Sequence, residues 1–129
     1  MDIEDDINAV LRNFSPLKAA RRFFKVQATD GNVKVSGNSG SPQAKHVLLD
    51  YIKKTSGVIN VDMSTLYDDE NIRLNIGGVV PEGILVNVQF GSVVLDSKLP
   101  DGNQETLRRV RSVAGIRKVV MSYHGVEIV

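Results

Sequence analysis

The segment from Lys34 to Lys45 carries the residues of this chain whose types and spacing best fit binding chemistry. Gly37-Asn38-Ser39-Gly40 precedes Ser41 and Pro42, which suit the N-cap and the first turn of a helix. Loop amides beside a helix start can hold an anion such as a phosphate. The segment therefore predicts an anion site, although a plain connector has the same pattern. The candidate residues are Lys34, Gly37, Gly40, Ser41 and Lys45.

The same loop has the G-x-x-G spacing with which KH domains clamp a nucleic-acid backbone. In KH domains that loop joins two helices, whereas here it is expected to join a strand to a helix. Sixteen basic and fifteen acidic residues leave a net charge of +1, and aromatic content is 5%. Because neither a basic footprint nor a base-stacking platform is evident, the sequence disfavours nucleic acid as the partner.

Basic residues are unevenly placed along the chain. Residues 12–54 contain nine Lys/Arg and two acids, and residues 98–118 contain six Lys/Arg and two acids. Within the second stretch, Arg108 and Arg111 lie three residues apart beside the apolar Leu107 and Val110. These two arginines complete the candidate anion-binding set. Basic faces of this kind attract anionic lipid, although solvated helix faces have the same composition.

The sequence gives no motif for catalysis or metal binding. It has no Cys, and His46 and His124 lack the neighbours of a metal or general-base site. No serine lies in a nucleophile elbow, and no phosphate-binding Gly-Lys-Ser/Thr sequence occurs. We therefore expect no enzymatic activity, no cofactor and no metal.

The start of the chain, Met-Asp-Ile-Glu-Asp-Asp, is acidic and polar. A secretory signal needs a basic start and an apolar run, and a membrane span needs about 20 apolar residues. Since neither pattern is present, the sequence predicts a cytoplasmic protein without a transmembrane span. A mature periplasmic or envelope form stays open.

The elements that position the candidate residues follow from hydrophobic periodicity. The sequence predicts an amphipathic helix from the spacing of its apolar residues Ile3, Ile7, Val10, Leu11 and Phe14. Alternation from Arg22 predicts a strand that turns at Asp30-Gly31 into its partner. A helix over residues 42–56 and a strand over residues 58–66 are expected next.

The pattern then repeats. Ile84, Val86 and Val88 lie sixty residues after Phe24, Val26 and Ala28 in the same alternation. Further on the offset is fifty-eight, and it predicts a second helix over residues 103–114. A register kept over several elements indicates an internal repeat.

The second repeat differs at its start. Ile72, Leu74 and Ile76 alternate and predict a strand, so a clear first helix is missing there. The sequence therefore predicts an α+β fold of two αββαβ-like repeats that share a compact core. The repeats are placed at residues 1–67 and 68–129.

Each repeat resembles the BON domain of bacterial envelope and stress proteins. Gly31, Val33, Val35, Gly37, Ala44, Gly57, Val58 and Val61 carry the resemblance in the first repeat. Gly91, Val93, Leu95, Gly115, Ile116 and Val119 carry it in the second, which departs from the family at Ser97, where a loop glycine is usual. The resemblance implies the αββαβ fold and a non-enzymatic role in attachment to phospholipid surfaces or other envelope components.

The expected function is that of a binding or adaptor module on anionic phospholipid surfaces. The alternative is a protein–protein scaffold or regulatory module that binds a partner protein, for instance by adding a strand to an exposed sheet edge. The sequence specifies no oligomeric state.

Overall fold

The computed structural model of the chain describes residues 2–12, 15–97 and 104–128. The chain divides into two compact units, Met1–Asp68 and Asp69–Val129. Each unit has its own sheet of mixed parallel and antiparallel strands, with helices between the strands. The predicted α+β class and the repeated order of strand, strand, helix and strand are confirmed.

The first unit opens with short helices and continues with a three-stranded sheet. Its elements are α1 (Ile3–Leu11), α2 (Ser15–Lys18), a 3-10 turn (Arg21–Phe23), β1 (Phe24–Thr29), β2 (Asn32–Asn38), α3 (Pro42–Lys54) and β3 (Asn60–Tyr67). The strand order is β1-β2-β3, in which β2 is antiparallel to β1 and parallel to β3.

The core of the first unit lies between its helices and one face of the sheet. Ile7 and Leu11 of α1 are buried, and α1 contacts β1. Phe14, the next residue of the predicted stripe, lies outside the described residues. Leu48 and Ile52 of α3 complete the core with the inward residues of the strands. The predicted amphipathic helix at the N-terminus is therefore confirmed, and its apolar side packs on the first sheet.

The second unit repeats this order and adds one strand. Its elements are α4 (Asp69–Gly77), β4 (Leu85–Gln89), β5 (Ser92–Asp96), α5 (Gln104–Arg111), β6 (Lys118–Tyr123) and β7 (Val126–Glu127). The strand order is β4-β5-β6-β7, with β5 and β6 parallel and the other pairs antiparallel.

The prediction that the second repeat lacks a first helix was wrong. Residues 72–76, which were expected to form a strand, lie in α4. Ile72 and Ile76 are buried, whereas Leu74 is 69% exposed. Residues four apart lie on one helix face, so two isoleucines suffice to dock the helix, and Leu74 points away from the core. The acidic residues Asp69 and Glu70 in the first turn stabilise the positive end of the helix dipole.

The hairpin turn predicted at Asp30-Gly31 is confirmed, and Phe90-Gly91 forms the equivalent turn of the second unit. Asp30 and Gly31 have φ values of 52° and 82°, and Phe90 and Gly91 have φ values of 48° and 80°. Two successive residues with positive φ fit the two-residue turn whose twist matches paired strands. These turns place β1 beside β2 and β4 beside β5 in equivalent registers.

Candidate functional site

The sheet of the second unit has one face that helices cover and one face that is open. Helices α4 and α5 contact β4 and β6, and they bury residues such as Ile76 and Leu107. Along β5 the buried residues Val93 and Leu95 alternate with the exposed Val94. Successive side chains of a strand point to opposite faces. We call the face that α4 and α5 leave uncovered, on the side of Val94, the open face. Its residues are Leu85, Asn87, Gln89, Ser92, Val94, Asp96, Lys118, Val120, Ser122 and Glu127.

The open face carries apolar side chains where a solvated sheet face is normally polar. Val94 of β5 lies directly opposite Val120 of β6. Leu85 of β4 is 69% exposed, and Val94 is 38% exposed. Since Asn87 pairs with Val94, Leu85 lies diagonally across from Val94. We call Leu85, Val94 and Val120 the apolar strip.

The equivalent positions of the first unit are charged. Lys25 pairs with Ser36 as Leu85 pairs with Asp96, and Lys34 pairs with Asp62 as Val94 pairs with Val120. The residues that replace the apolar strip are thus Lys25, Lys34 and Asp62. The β1–β2 and β4–β5 pairs share their register, and β2–β3 matches β5–β6 at Lys34 and Asp62 before its register shifts, so at these positions the units differ in their side chains. The first unit shows that this fold does not need apolar residues there.

A shallow groove is lined by Leu85 and Val94 of the apolar strip. Its volume is about 420 Å³, and its walls include Arg73, Leu85, Val94, Asp96 and Ser122. Ser122 Oγ donates a hydrogen bond to Asp96 Oδ1 over 3.3 Å. The groove therefore combines apolar contact area with a few fixed polar groups, which is the composition of a binding surface.

Charge is separated along the strands of the open face. One end carries the acids Asp96 and Glu127, which flank Ser122 on the neighbouring strands. The other end carries Lys118, which lies beside Ser92. Arg73 of α4 reaches the acidic end next to Leu85. Val94 and Val120 of the apolar strip thus lie between an acidic end and a basic end, and Leu85 lies in the same row as the acids.

The loop that was predicted to hold an anion uses its polar groups internally. Ser39 N–H donates to Tyr67 O over 2.9 Å, and Gly40 N–H donates to Asn38 Oδ1 over 2.6 Å. Ser41 is the N-cap of α3, as predicted, because its Oγ accepts from Ala44 N–H over 3.1 Å. These three amides already have acceptors within the chain.

Gly37 and Gly40 have backbone reasons for being glycine. Their φ values are +115° and +84°, which residues with a side chain rarely adopt. A Cβ on Gly37 would also lie 2.2 Å from Phe23 O. The two glycines therefore serve the turn from β2 into α3, and their part in anion binding remains a prediction.

The two lysines of the candidate set have different surroundings. Lys45 Nζ donates a hydrogen bond to Leu66 O over 2.9 Å, and its side chain is half-buried. Lys34 is exposed on β2 opposite Asp62. Hydrogen bonds from Ser64 hold the pKa of Asp62 below its ordinary value, and the charge of Lys34 acts in the same direction. Lys34 is thus the more accessible cation of the two.

The two arginines lie on the exposed side of α5 in the second unit. Arg108 contacts Glu105 through two nitrogens, with an Nη2–Oε1 distance of 2.6 Å. Arg109 Nε donates to the same carboxylate over 3.1 Å. The Arg108 hydrogen bond lowers the pKa of Glu105, and Arg109 adds to the effect. Part of the basic charge of α5 is therefore neutralised within the helix, and Arg111 is exposed beside it.

The two histidines lie on the surface of different units. His46 Nε2 is 3.5 Å from Asp50 Oδ2 on the exposed side of α3. His124 occupies the turn between β6 and β7, where its ring contacts Tyr123. Within residues 2–12, 15–97 and 104–128, no group of three or more metal-ligating side chains comes together.

Sequence reasoning missed the apolar strip, although the signal was present. The offset of sixty residues aligns Lys25 with Leu85 and Lys34 with Val94. The repeat draws attention to residues that the two units share, whereas the apolar strip lies where the two units differ. No helix within the described part of the chain is long and apolar enough to cross a membrane.

Comparisons with known proteins bear on the fold. No protein-family model matches the chain, and no curated protein matches its sequence. The solved structures that are similar to it include two of CdsD, a structural protein of the type III secretion system of Chlamydia trachomatis. One has a TM-score of 0.72 and 17% sequence identity over 94% of this chain and 60% of that chain.

The other structure is of the C-terminal domain of CdsD. It has a TM-score of 0.67 and 18% identity, and it covers 91% of this chain and 62% of that chain. The chain therefore spans about three-fifths of each of these two chains. At such low identity the similarity establishes a shared fold.

Proposed function

We propose that the chain is a structural, non-enzymatic module that binds protein through the open face of its second unit. The apolar strip carries the proposal, because the equivalent sheet positions in the first unit are Lys25, Lys34 and Asp62. An apolar strip of this kind has no role in the core and loses water contact when a partner covers it. The alternative function that we considered from sequence is therefore the better supported one.

The similarity to CdsD supports a structural role. CdsD is a structural protein of a type III secretion system. We place this chain in the same class of activity, as a component of a multiprotein assembly. Its similarity covers the fold only, so the partner is a matter for experiment.

The BON resemblance and the repeat boundaries belong to the same proposal. Each unit has a leading helix, a hairpin, a second helix and a return strand, which supports two BON-type repeats at about residues 1–67 and 68–129. The lipid function that is usual for that family has weaker support here. Lys45 and Arg108 already contact groups of their own unit.

Cross-linking in the source cells, followed by mass spectrometry, tests the proposal with three forms of the chain. The face variant carries Leu85→Lys and Val94→Lys, the residues that the first unit has at these positions. The control variant carries Lys25→Ala and Lys34→Ala in the first unit. We expect specific protein cross-links, including links between copies of the chain, that the face variant loses and the control variant keeps.

Two results would overturn the proposal. One is an identical set of cross-linked proteins for all three forms. The other is binding of the purified wild type to vesicles of phosphatidylcholine and phosphatidylglycerol that Lys34→Glu abolishes and the face variant keeps. That second result would indicate that the chain binds anionic lipid. Such vesicle binding would weaken as salt is added, because exposed charges are screened over about 10 Å at 0.1 M.

A further inference from the structure

We infer that the open face binds the open face of a second copy of this chain, in a two-fold arrangement that joins the acidic end of each copy to the basic end of the other. The inference rests on the proposed function, since it assigns a partner to the same surface.

The open face has three rows that cross its strands. The first row holds Leu85, Asp96, Ser122 and Glu127; the middle row holds Asn87, Val94 and Val120; the third row holds Gln89, Ser92 and Lys118. The acids lie in the first row, the directly paired valines in the middle row and the lysine in the third row.

In the proposed dimer, the two-fold axis lies midway between the two open faces and runs perpendicular to the strands. This axis places each strand opposite the same strand of the other copy and reverses the strand direction. The middle rows then meet each other, so Val94 packs on Val94 and Val120 on Val120. Two sheets that pack face to face keep their strands within about 30° of each other, at a separation of about 10 Å.

The same operation brings opposite charges together. Lys118 lies on β6, and so does Ser122, which is flanked by Asp96 on β5 and Glu127 on β7. Lys118 of one copy therefore faces Ser122 of the other and lies between the two acids. Arg73 lies beside Leu85 at the β4 edge, where the facing row has the uncharged Gln89.

Other arrangements lack this match. An axis parallel to the strands would place acidic row on acidic row and Lys118 near Lys118. The open face of the first unit offers no equivalent contact, because its middle row pairs Lys34 with Asp62. Charge complementarity thus selects the second copy as occupant and selects one orientation of it.

The contact is small. Four strands spaced by about 4.8 Å and five residues at about 3.3 Å each give a face of roughly 15 Å by 15 Å. This is well below the roughly 800 Å² per partner of a standard stable interface. The dimer is therefore weak in dilute solution and would form when an assembly holds several copies close together.

Sedimentation velocity and NMR test the inference at protein concentrations up to about 1 mM, where weak dimers are populated. Wild type should associate reversibly, with chemical-shift changes at the Val94 and Val120 amides. Lys118→Glu places three acids together and should weaken association by about tenfold or more. Glu127→Lys should weaken association as well, since Lys118 then faces Asp96 beside a new lysine.

Mixing the two single variants provides the decisive experiment. In the mixed dimer, Lys118 of the second variant faces Asp96 and Glu127 of the first, as in wild type. The ¹⁵N-labelled Lys118→Glu chain should therefore bind the unlabelled Glu127→Lys chain more tightly than it binds itself. Circular dichroism of each variant controls for folding, and both altered residues are exposed.

A monomeric wild type at 1 mM, or a mixture that associates no better than Lys118→Glu alone, would overturn this inference. Neither result would overturn the proposed function, because cross-links to other proteins that need Leu85 and Val94 would still be observed. If wild type does not self-associate and no cross-link depends on Leu85 and Val94, both this inference and the proposed function would be overturned.

Discussion

The carboxylate of Asp69 accepts a hydrogen bond from the backbone N–H group of Phe90 over 2.6 Å. Its second oxygen accepts from Gly91 N–H over 2.9 Å. The first turn of α4 therefore holds the hairpin turn between β4 and β5. In the first unit, Glu4 of α1 reaches the equivalent hairpin, where its Oε2 accepts from Ala28 N–H over 2.8 Å. Both units join the leading helix to the sheet through an acidic side chain.

Replacement of Asp69 by alanine should lower the free energy of unfolding of the second unit by about 2–3 kcal/mol, because hydrogen bonds to charged groups contribute about 1.5–3 kcal/mol. Phe90 also has a φ of 48°, which a bulky residue adopts only when its surroundings hold it. Urea unfolding followed by circular dichroism measures the change. Asp50→Ala is the matched control, since Asp50 is exposed and its carboxylate lies 3.5 Å from the exposed His46. Equal losses for the two variants would contradict the role of Asp69.

The helical assignment of residues 69–77 makes a second prediction. Ile76→Ala should cost about 2–5 kcal/mol, as expected for a large aliphatic residue that is fully buried. Leu74→Ala should cost only a few tenths of a kcal/mol, because Leu74 is 69% exposed. In a strand, both residues would lie on one face and the two costs would be similar. Thermal unfolding of the two variants therefore separates helix from strand.

The misassigned helix shows where sequence reasoning stops. The apolar spacing of this segment fits both kinds of element. A strand would use Ile72, Leu74 and Ile76 at every second position, and a helix would use only Ile72 and Ile76, four positions apart. The acidic pair at its start and Gly77-Gly78 at its end were the better signals, since they are typical of helix boundaries. Short apolar patterns fit both periods, so tertiary contacts decide between them. The hairpins were predictable because their turns depend on local backbone chemistry.

The candidate site shows a different limit. The helix start at Ser41 was predictable, because an N-cap needs only its own residue and the next turn. The internal acceptors of the loop amides could not be predicted, since Tyr67 O comes from a strand that lies far along the chain. The apolar strip likewise depends on cross-strand register, which joins residues such as Val94 and Val120.

Gly37 should be intolerant of any side chain. Gly37→Ala introduces a Cβ at 2.2 Å from Phe23 O, at a backbone φ of +115° that alanine rarely adopts. Where the backbone suits alanine, Gly→Ala stabilises a protein by up to about 1 kcal/mol, whereas at an unsuitable φ it destabilises by more than that. We therefore expect Gly37→Ala to lower the free energy of unfolding by more than about 1 kcal/mol. Gly77→Ala is the matched control, because a Cβ there meets nothing within 4 Å. That variant should gain up to about 1 kcal/mol from helix propensity. Chemical denaturation of both variants provides the comparison, and a mild effect of Gly37→Ala would contradict the close approach of β2 to residue 23.

Lys45 and Lys34 should differ sharply when their charge is reversed. Lys45→Glu removes the donor to Leu66 O and turns a carboxylate toward that carbonyl, so we expect a loss of about 1–3 kcal/mol in the free energy of unfolding. Lys34→Glu should change stability by about 0.5 kcal/mol or less, since Lys34 is exposed. Lys45 can contribute through the hydrogen bond of its ammonium group and through the packing of its apolar stem. Lys45→Met separates these two contributions, because methionine keeps an apolar stem and lacks the ammonium group. Urea titrations of the three variants measure these differences, and equal stability of the two glutamate variants would show that the Lys45 contact contributes nothing. The expected outcome decides how lipid binding is tested: a vesicle assay with Lys34→Glu reports on surface charge, whereas one with Lys45→Glu also reports on damage to the first unit.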